Sequence, residues 1–222
     1  LALSAIRADQ GWETEVVLSG HSTGGLVASL WADRHPGALR ALVLSSAWLS
    51  LQGSELVRTV GDPVLRTLAL RDPRMSILDG WVDPARAFSI TDGWDPERDG
   101  ELPDPSWADD PYVTGWDINP AWSIKPSAPV RVGWLQAVME GHNRVAQGLD
   151  IRCPVLSMGA ATTRLGVTWT PESRGADTII DADATARRAV GLGKLVTIAR
   201  FPGGVHDLTL SEPPVREQVF SA

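Results

Sequence analysis

This sequence predicts an α/β fold built on a parallel sheet, and three observations predict it. Residues 1–50 alternate helix-like and strand-like stretches, residues 151–222 return to that alternation, and "GHSTGG" (Gly20–Gly25) sits where a strand pattern meets a helix pattern. Alternation of this kind buries a parallel sheet between helices.

The elements follow in order. "LALSAIRADQG" carries apolar residues at 1, 3 and 6 and a glycine stop at 11, which predicts a helix over Leu1–Ala8. A strand is expected at Glu15–Leu18, a helix at Thr23–Arg34 and a second strand at Ala41–Leu44. Within the second helix, Leu26, Val27, Leu30 and Trp31 recur at helical spacing before the stop at His35-Pro36-Gly37. A strand, a crossover helix and a second apolar strand form a βαβ unit.

Residues 51–150 change texture. They hold ten of the sixteen prolines and six of the ten tryptophans. Proline at that density breaks helices into short pieces. One longer helix is expected over Val130–Leu149, with Trp134, Leu135, Val138 and Val145 on one face. The segment reads as a cap inserted into the sheet fold, dividing the chain into core (1–50), cap (51–150) and core (151–222). In the last part, "CPVLSMGA" predicts a buried strand centred on Val155–Met158 and "KLVTIARF" another strand. Between them lies a helix over Ala184–Val190 with Asp181 and Asp183 available as caps.

Composition excludes several classes. The 222 residues carry a net charge of −7, and the segment from Ile90 to Pro120 alone holds nine acids against one base, Arg98. No basic patch exists, so nucleic acid is not an expected partner. The acidic run reads either as a solvated loop face or as attraction for a cationic substrate group. The single cysteine, Cys153, permits neither an internal disulfide nor a cysteine-built metal site, and reads as a small buried hydrophobe. No metal or cofactor is expected. No apolar run approaches the ~20 residues that span a bilayer. The expected location is cytoplasmic, although a chain beginning inside a helix pattern says nothing about a leader.

Ser22 is the centre of the chemical reading. Gly-x-Ser-x-Gly alone is common by chance, but Gly20-His21-Ser22-Thr23-Gly24 closes an apolar strand and opens a helix, the setting of a nucleophile elbow. A sharp turn there strains the serine backbone and lifts its hydroxyl above the sheet edge. Glycine two residues to either side avoids collision with neighbouring backbone, and Gly25 extends the same allowance. The helix N-terminus aims amide N–H groups at the place where negative charge develops.

"VVLSGHSTGGLVASLWADR" resembles the elbow of the α/β-hydrolase fold, in the branch of monoacylglycerol-lipase-like and serine-aminopeptidase-like enzymes. The later "CPVLSMGA", "DTIID" and "FPGGVHDLTLS" fall in that family's order. The resemblance rests on residues 16–50 and 151–211; the cap resembles the family only in position and composition.

A serine hydroxyl needs a base. Of four histidines, His21 adjoins Ser22 and its ring is expected to point elsewhere, His35 caps a helix end, and His142 lies on the cap helix, where it reads either as bordering a pocket or, more commonly for such a position, as surface. His206 follows the last strand in a glycine-rich loop, where a parallel sheet presents functional residues and where the family carries its base. The base needs a carboxylate to orient it. The family's acid follows the strand before the last, but here "GAATTRLGVTWTPESRG" intervenes. Asp177, Asp181 and Asp183 compete, with Glu172 a distant fourth. "Asp-x-Ile-Ile-Asp" resembles the family's acid region and favours Asp177, and Asp207 reads as a loop hydrogen-bonder.

The resemblance implies a serine hydrolase acting on a small ester or acyl substrate through an acyl-enzyme: Ser22 nucleophile, His206 base, Asp177 its orienter, Thr23 N–H an oxyanion donor. Trp48 either lines the acyl pocket or packs against the cap. A second oxyanion donor and several strands of the sheet are expected ahead of Leu1, with an exposed sheet edge beside the nucleophile strand, so the piece by itself is expected to turn over poorly. The rivals are a peptidase acting on free N-termini and a non-catalytic ligand-binding relative.

Overall fold

The computed structural model describes residues 2–51, 55–77, 90–119, 121, 129–166 and 168–222, and describes side chains throughout these except at 55–62 and 90. Parts of the proposed cap, including Trp81 and Trp122, lie outside the described residues, as does Leu1.

Four parallel strands form one sheet in the order β1-β2-β3-β4. Helix α1 (Ala2–Gln10) precedes β1 (Val17–His21); α2 (Thr23–Arg34) crosses to β2 (Ala41–Ser45). The predicted βαβ unit is therefore present, with β1 shifted. Its pairing with β2 runs from Val17 opposite Ala41 to His21 opposite Ser45, so Gly20 and His21 are strand residues and the turn is confined to Ser22. Helix α1 runs two residues past its predicted end, to Gln10, and stops at Gly11 in the left-handed region (φ 101°).

Residues 51–150 contain α3 (Glu55–Arg71), the short α4 (Pro96–Asp99) and α5 (Pro111–Thr114), and α6 (Val132–Ala146). Helix α3 corrects the expectation of short pieces: 17 residues continue through Pro63, at the expense of one backbone hydrogen bond. Helix α6 is shorter than predicted, because Arg131 is extended and bridges to Ser76, and Gly148 (φ 89°) ends the far side. Its buried face carries Val132, Val138, Met139, His142 and Val145, while Trp134 is largely exposed. His142 is thus a buried residue, not a surface one.

The acidic run has a structural use that the sequence reading missed. Asp95, Asp104 and Asp110 each precede a proline, and each carboxylate accepts a backbone N–H two residues ahead, from Glu97, Ser106 and Tyr112. Asp at N-cap with Pro at the first helical position starts a helical turn with an orphan donor satisfied and φ already set. Three such starts in sequence use these acids as caps.

The chain returns to the sheet with β3 (Val155–Ala160), α7 (Ala182–Ala189), β4 (Val196–Phe201) and α8 (Pro213–Phe220). Central strands β2 and β3 are the most buried. One core joins Leu26, Ala28 and Ala32 of α2 to Leu42 and Leu44 of β2 and to Val138 and Val145 of α6. A second joins Met158 and Phe201 to Leu208 and to Val215 and Val219 of α8. Burial of such side chains stabilises by about 1.5–3 kcal/mol each. Among the described residues β1 is an edge strand, with Val17 more than half exposed. No helix among them is long and apolar enough to cross a membrane.

Candidate active site

Ser22, His206 and Asp177 converge beyond the C-terminal ends of β1, β4 and β3, where parallel sheets present functional groups. Ser22 is the N-cap of α2 and has φ 52° and ψ −123°, a conformation rare for a residue with a side chain. The surrounding backbone holds it there. Ser22 N–H donates to Ser45 O (3.1 Å), and Ser22 O accepts from Gly25 N–H (3.0 Å) and Trp48 N–H (2.9 Å). A Cβ on Gly20 would lie 2.8 Å from Gly24 O, and one on Gly25 would lie 2.9 Å from Ala47 Cα. The expectation for Gly24 needs correction: a Cβ there would meet nothing within 4 Å, so the close approach is at Gly25 instead.

His206 Nε2 lies 3.0 Å from Ser22 Oγ. Its Nδ1 lies 2.9 Å from Asp177 Oδ2 and 3.1 Å from Oδ1. A carboxylate accepts only, so Nδ1 carries the proton and Nε2 is left to accept from the Ser22 hydroxyl. Asp177 is 1% exposed. Its Oδ1 also accepts from the N–H groups of Ile179 and Ile180, both at 2.9 Å. These backbone donors fix the carboxylate's rotation and satisfy a buried charge.

The long segment before Asp177 is folded back on β3. Asp177 N–H donates to Thr162 O, and Arg164 N–H donates to Asp177 O. The 16 residues that separate β3 from the acid thus return it to the strand's end. The competing acids are occupied elsewhere. Asp181 caps α7 through Ala184 N–H (2.8 Å). Helix α7 begins at Ala182, two residues earlier than predicted, so Asp183 lies inside its first turn and pairs with Arg200 (2.6 Å) instead of capping. Glu172 is exposed and bonds Thr170 and Arg164. Asp207 accepts from Thr209 N–H and Oγ1–H, as a loop hydrogen-bonder.

His21 does not point away from the site. Its Nε2 donates to His206 O at 3.4 Å, and its ring meets the His206 ring edge-on at 5.0 Å between centroids. The strand extends to His21, so the alternation of side chains turns this ring toward the neighbouring loop. Trp48 is half-buried; its ring lies 5.0 Å from that of His142 and 6.4 Å from that of Trp134, both on α6. His142 Nε2 donates to Trp48 O at 2.8 Å. The Trp48 ring therefore packs on α6 while its backbone N–H supports Ser22. Thr23 supplies the first N–H of α2, one of the amides that a helix leaves without an internal acceptor.

A second buried cluster escaped sequence reading. Asp99, whose side chain is fully buried, accepts from Arg174 (2.7 Å), Arg98 (2.7 and 3.0 Å), Trp169 Nε1–H (2.8 Å) and Asp95 N–H (2.9 Å). Burial by itself would push this carboxyl up, but the hydrogen bonds from Arg98 and Arg174 hold it well below the usual carboxylate range. The Arg174 guanidinium lies 5.2, 5.5 and 5.8 Å from the ring centres of Trp94, Tyr112 and Trp169. Burial pushes the Tyr112 phenol up to about 12. Asp99 is one acid in a long acidic run, and Arg174 lies 75 residues away, so no local pattern marks the pair.

Among the described residues, no group of three or more His, Cys, Asp or Glu side chains could hold a metal ion. Cys153 is half-buried, and burial raises its thiol pKa.

A family model described as Hydrolase_4, serine aminopeptidase, S33, matches residues 1–166 of the 222. Three solved structures share the fold over 99% of this chain. A monoacylglycerol lipase from Paleococcus ferrophilus is 19% identical with a TM-score of 0.59, and 71% of its chain is covered. A soluble variant of monoglyceride lipase from Saccharomyces cerevisiae, in complex with a substrate analog, is 15% identical with a TM-score of 0.58 and 62% covered. A thermostable carboxyl esterase from Bacillus coagulans, in complex with glycerol, is 16% identical with a TM-score of 0.53 and 66% covered. The chain thus spans between 62% and 71% of the length of these three proteins. No curated protein matches the sequence significantly. Together with the four parallel strands and their flanking helices, these likenesses make the fold that of the α/β hydrolases.

Proposed function

Because this chain belongs to the serine aminopeptidase S33 family of hydrolases, we propose that it carries the catalytic centre of a serine hydrolase that cleaves small carboxylic esters through an acyl-enzyme. The observation that carries this reading is the unbroken hydrogen-bond line from Ser22 through His206 to Asp177. Ser22 Oγ attacks the ester carbonyl carbon as its proton passes to His206 Nε2. The tetrahedral oxyanion takes a hydrogen bond from Thr23 N–H at the positive end of α2. Collapse breaks the bond to the alkoxy group, which leaves as alcohol with the proton from His206. Water then repeats the sequence: His206 takes its proton, hydroxide adds to the acyl carbon, and Ser22 regains its proton as the acid departs. Asp177 keeps the imidazole in the tautomer that both half-reactions need and stabilises the imidazolium. Trp48 borders the acyl site beside its packing on α6.

The core of this unit is residues 1–50 and 151–222, with 51–150 as the cap. Ester is preferred to free-N-terminal peptide in part because four of the nine acids between Ile90 and Pro120 that could capture an amine are engaged. Asp95, Asp104 and Asp110 cap helices, and Asp99 is buried against arginines. That two of the proteins sharing the fold are lipases and the third a carboxyl esterase supports this choice. Parallel assays with a p-nitrophenyl ester and an aminoacyl p-nitroanilide test it. Ester turnover that is slow, with Thr23 N–H the one oxyanion donor proposed, but exceeds anilide turnover and is abolished by Ser22→Ala is the expected result; preferential anilide turnover would assign a peptidase.

A further inference from the structure

The loop that delivers Asp177 is anchored in the insertion. Arg174 sits in the 3-10 turn Pro171–Gly175, and its guanidinium donates to Asp99 Oδ2 (2.7 Å) and to Gly93 O. Trp169, just ahead of that turn, donates its indole N–H to the other Asp99 oxygen at 2.8 Å. One carboxylate therefore ties down both ends of residues 169–174. The next residue, Gly175, packs on the His206 loop: a Cβ there would lie 3.4 Å from Gly203 Cα. Its carbonyl accepts from Thr162 Oγ1–H (3.1 Å), and Asp177 follows two residues on. Arg174 is 3% exposed, and its Nε and Nη1 have no hydrogen-bond partner among the described residues. The aromatic enclosure and Asp99 are what hold this charge in the interior.

We infer that Asp99 is a positioning residue for Asp177: acting through Arg174 and Trp169, it sets the height at which the loop presents the Asp177 carboxylate to His206. The inference rests on the proposed roles of Ser22, His206 and Asp177. It also gives the insertion a part in the chemistry besides covering the site. A shift of ~1 Å in a catalytic group costs about 10²-fold in rate, so a loosened loop is felt at Ser22.

The test uses the full chain and two readouts: the rate at which a fluorophosphonate probe labels Ser22, and the low-field proton NMR resonance of the His206 Nδ1–H held by Asp177. Asp99→Asn removes the charge that anchors Arg174. Because it strands a buried guanidinium and risks unfolding, the pair replacement Asp99→Leu with Arg174→Met is made beside it, leaving only the solvent-reaching Arg98 without its carboxylate and no fully buried charge unpaired. In folded variants, labelling is expected to slow at least about tenfold, and the resonance to broaden or move. Wild-type labelling and an unchanged resonance in the folded pair variant would overturn the inference, assigning Asp99 to stability alone. Asp177→Asn separates the two levels. If it labels like wild type, the proposed role of Asp177 fails, whereas the resonance still reports whether Asp99 places the carboxylate on His206.

Discussion

Gly25 packs its α-carbon so closely on Ala47 that a methyl group at 25 would sit 2.9 Å from Ala47 Cα. Gly24, one residue earlier, faces open space. Adjacent glycines in one motif thus do different work. Gly25 lets α2 press against the chain leaving β2, from which Trp48 N–H reaches Ser22 O.

Gly25→Ala is therefore expected to destabilise by about 1–3 kcal/mol, as overpacking does, and to slow Ser22 labelling. Gly24→Ala is expected to be neutral or to stabilise by up to about 1 kcal/mol, the usual gain of alanine over glycine in a helix. Urea unfolding of the two variants checks the contrast. Equal losses would contradict it.

Asp177→Asn should lower kcat by about 10⁴-fold with the fold intact, because the amide cannot hold the same imidazole tautomer. Asp181→Ala should leave kcat unchanged and cost about 0.5–2 kcal/mol for the lost cap of α7. An ester assay beside thermal unfolding distinguishes them, and an exchange of these two outcomes would make Asp181 the acid.

Acid should weaken the tie between α5 and α8. Arg216 makes a two-point ion pair with Asp110 (2.6 and 3.0 Å) and lies over the Trp116 ring. The hydrogen bonds from Arg216 hold the Asp110 carboxyl below its ordinary value. A depressed folded value means that the stabilisation is whole above the unfolded carboxyl pKa, ~3.9. It is lost as pH falls through the folded value. Urea midpoints of wild type should thus drop between pH 6 and pH 3 by more than those of Asp110→Asn, which starts lower at pH 6. Parallel pH curves would refute the assignment.

What was legible in the sequence was what is local or ordered along the chain. The strand–turn–helix setting of Ser22, the glycine-rich loop before His206 and the apolar runs of β2 and β3 each declare themselves within a dozen residues. Asp177 was favoured over Asp181 by the resemblance of Asp-x-Ile-Ile-Asp to the family's acid region and by the cap role open to Asp181, but the two still competed, because the fold-back that brings Asp177 to His206 is not written locally. Helix α3 was hidden because Gly61-Asp62-Pro63 reads as a break, whereas packing against α6 sustains it. The orientation of His21 depends on where the His206 loop arrives, which no local pattern encodes. Asp99 and Arg174 meet only after the α4 region has folded onto the segment past β3. The acidic run looked like a solvated face because Asp-Pro capping and buried pairing leave the composition unchanged.

The proposed activation of Ser22 by His206 is open to intact-protein mass spectrometry after exposure to a fluorophosphonate. The wild-type chain should gain one probe mass, mapped to Ser22, with Ser22→Ala unlabelled and His206→Ala labelled far more slowly. No labelling of the folded wild-type chain, or undiminished labelling of Ser22→Ala, would contradict it.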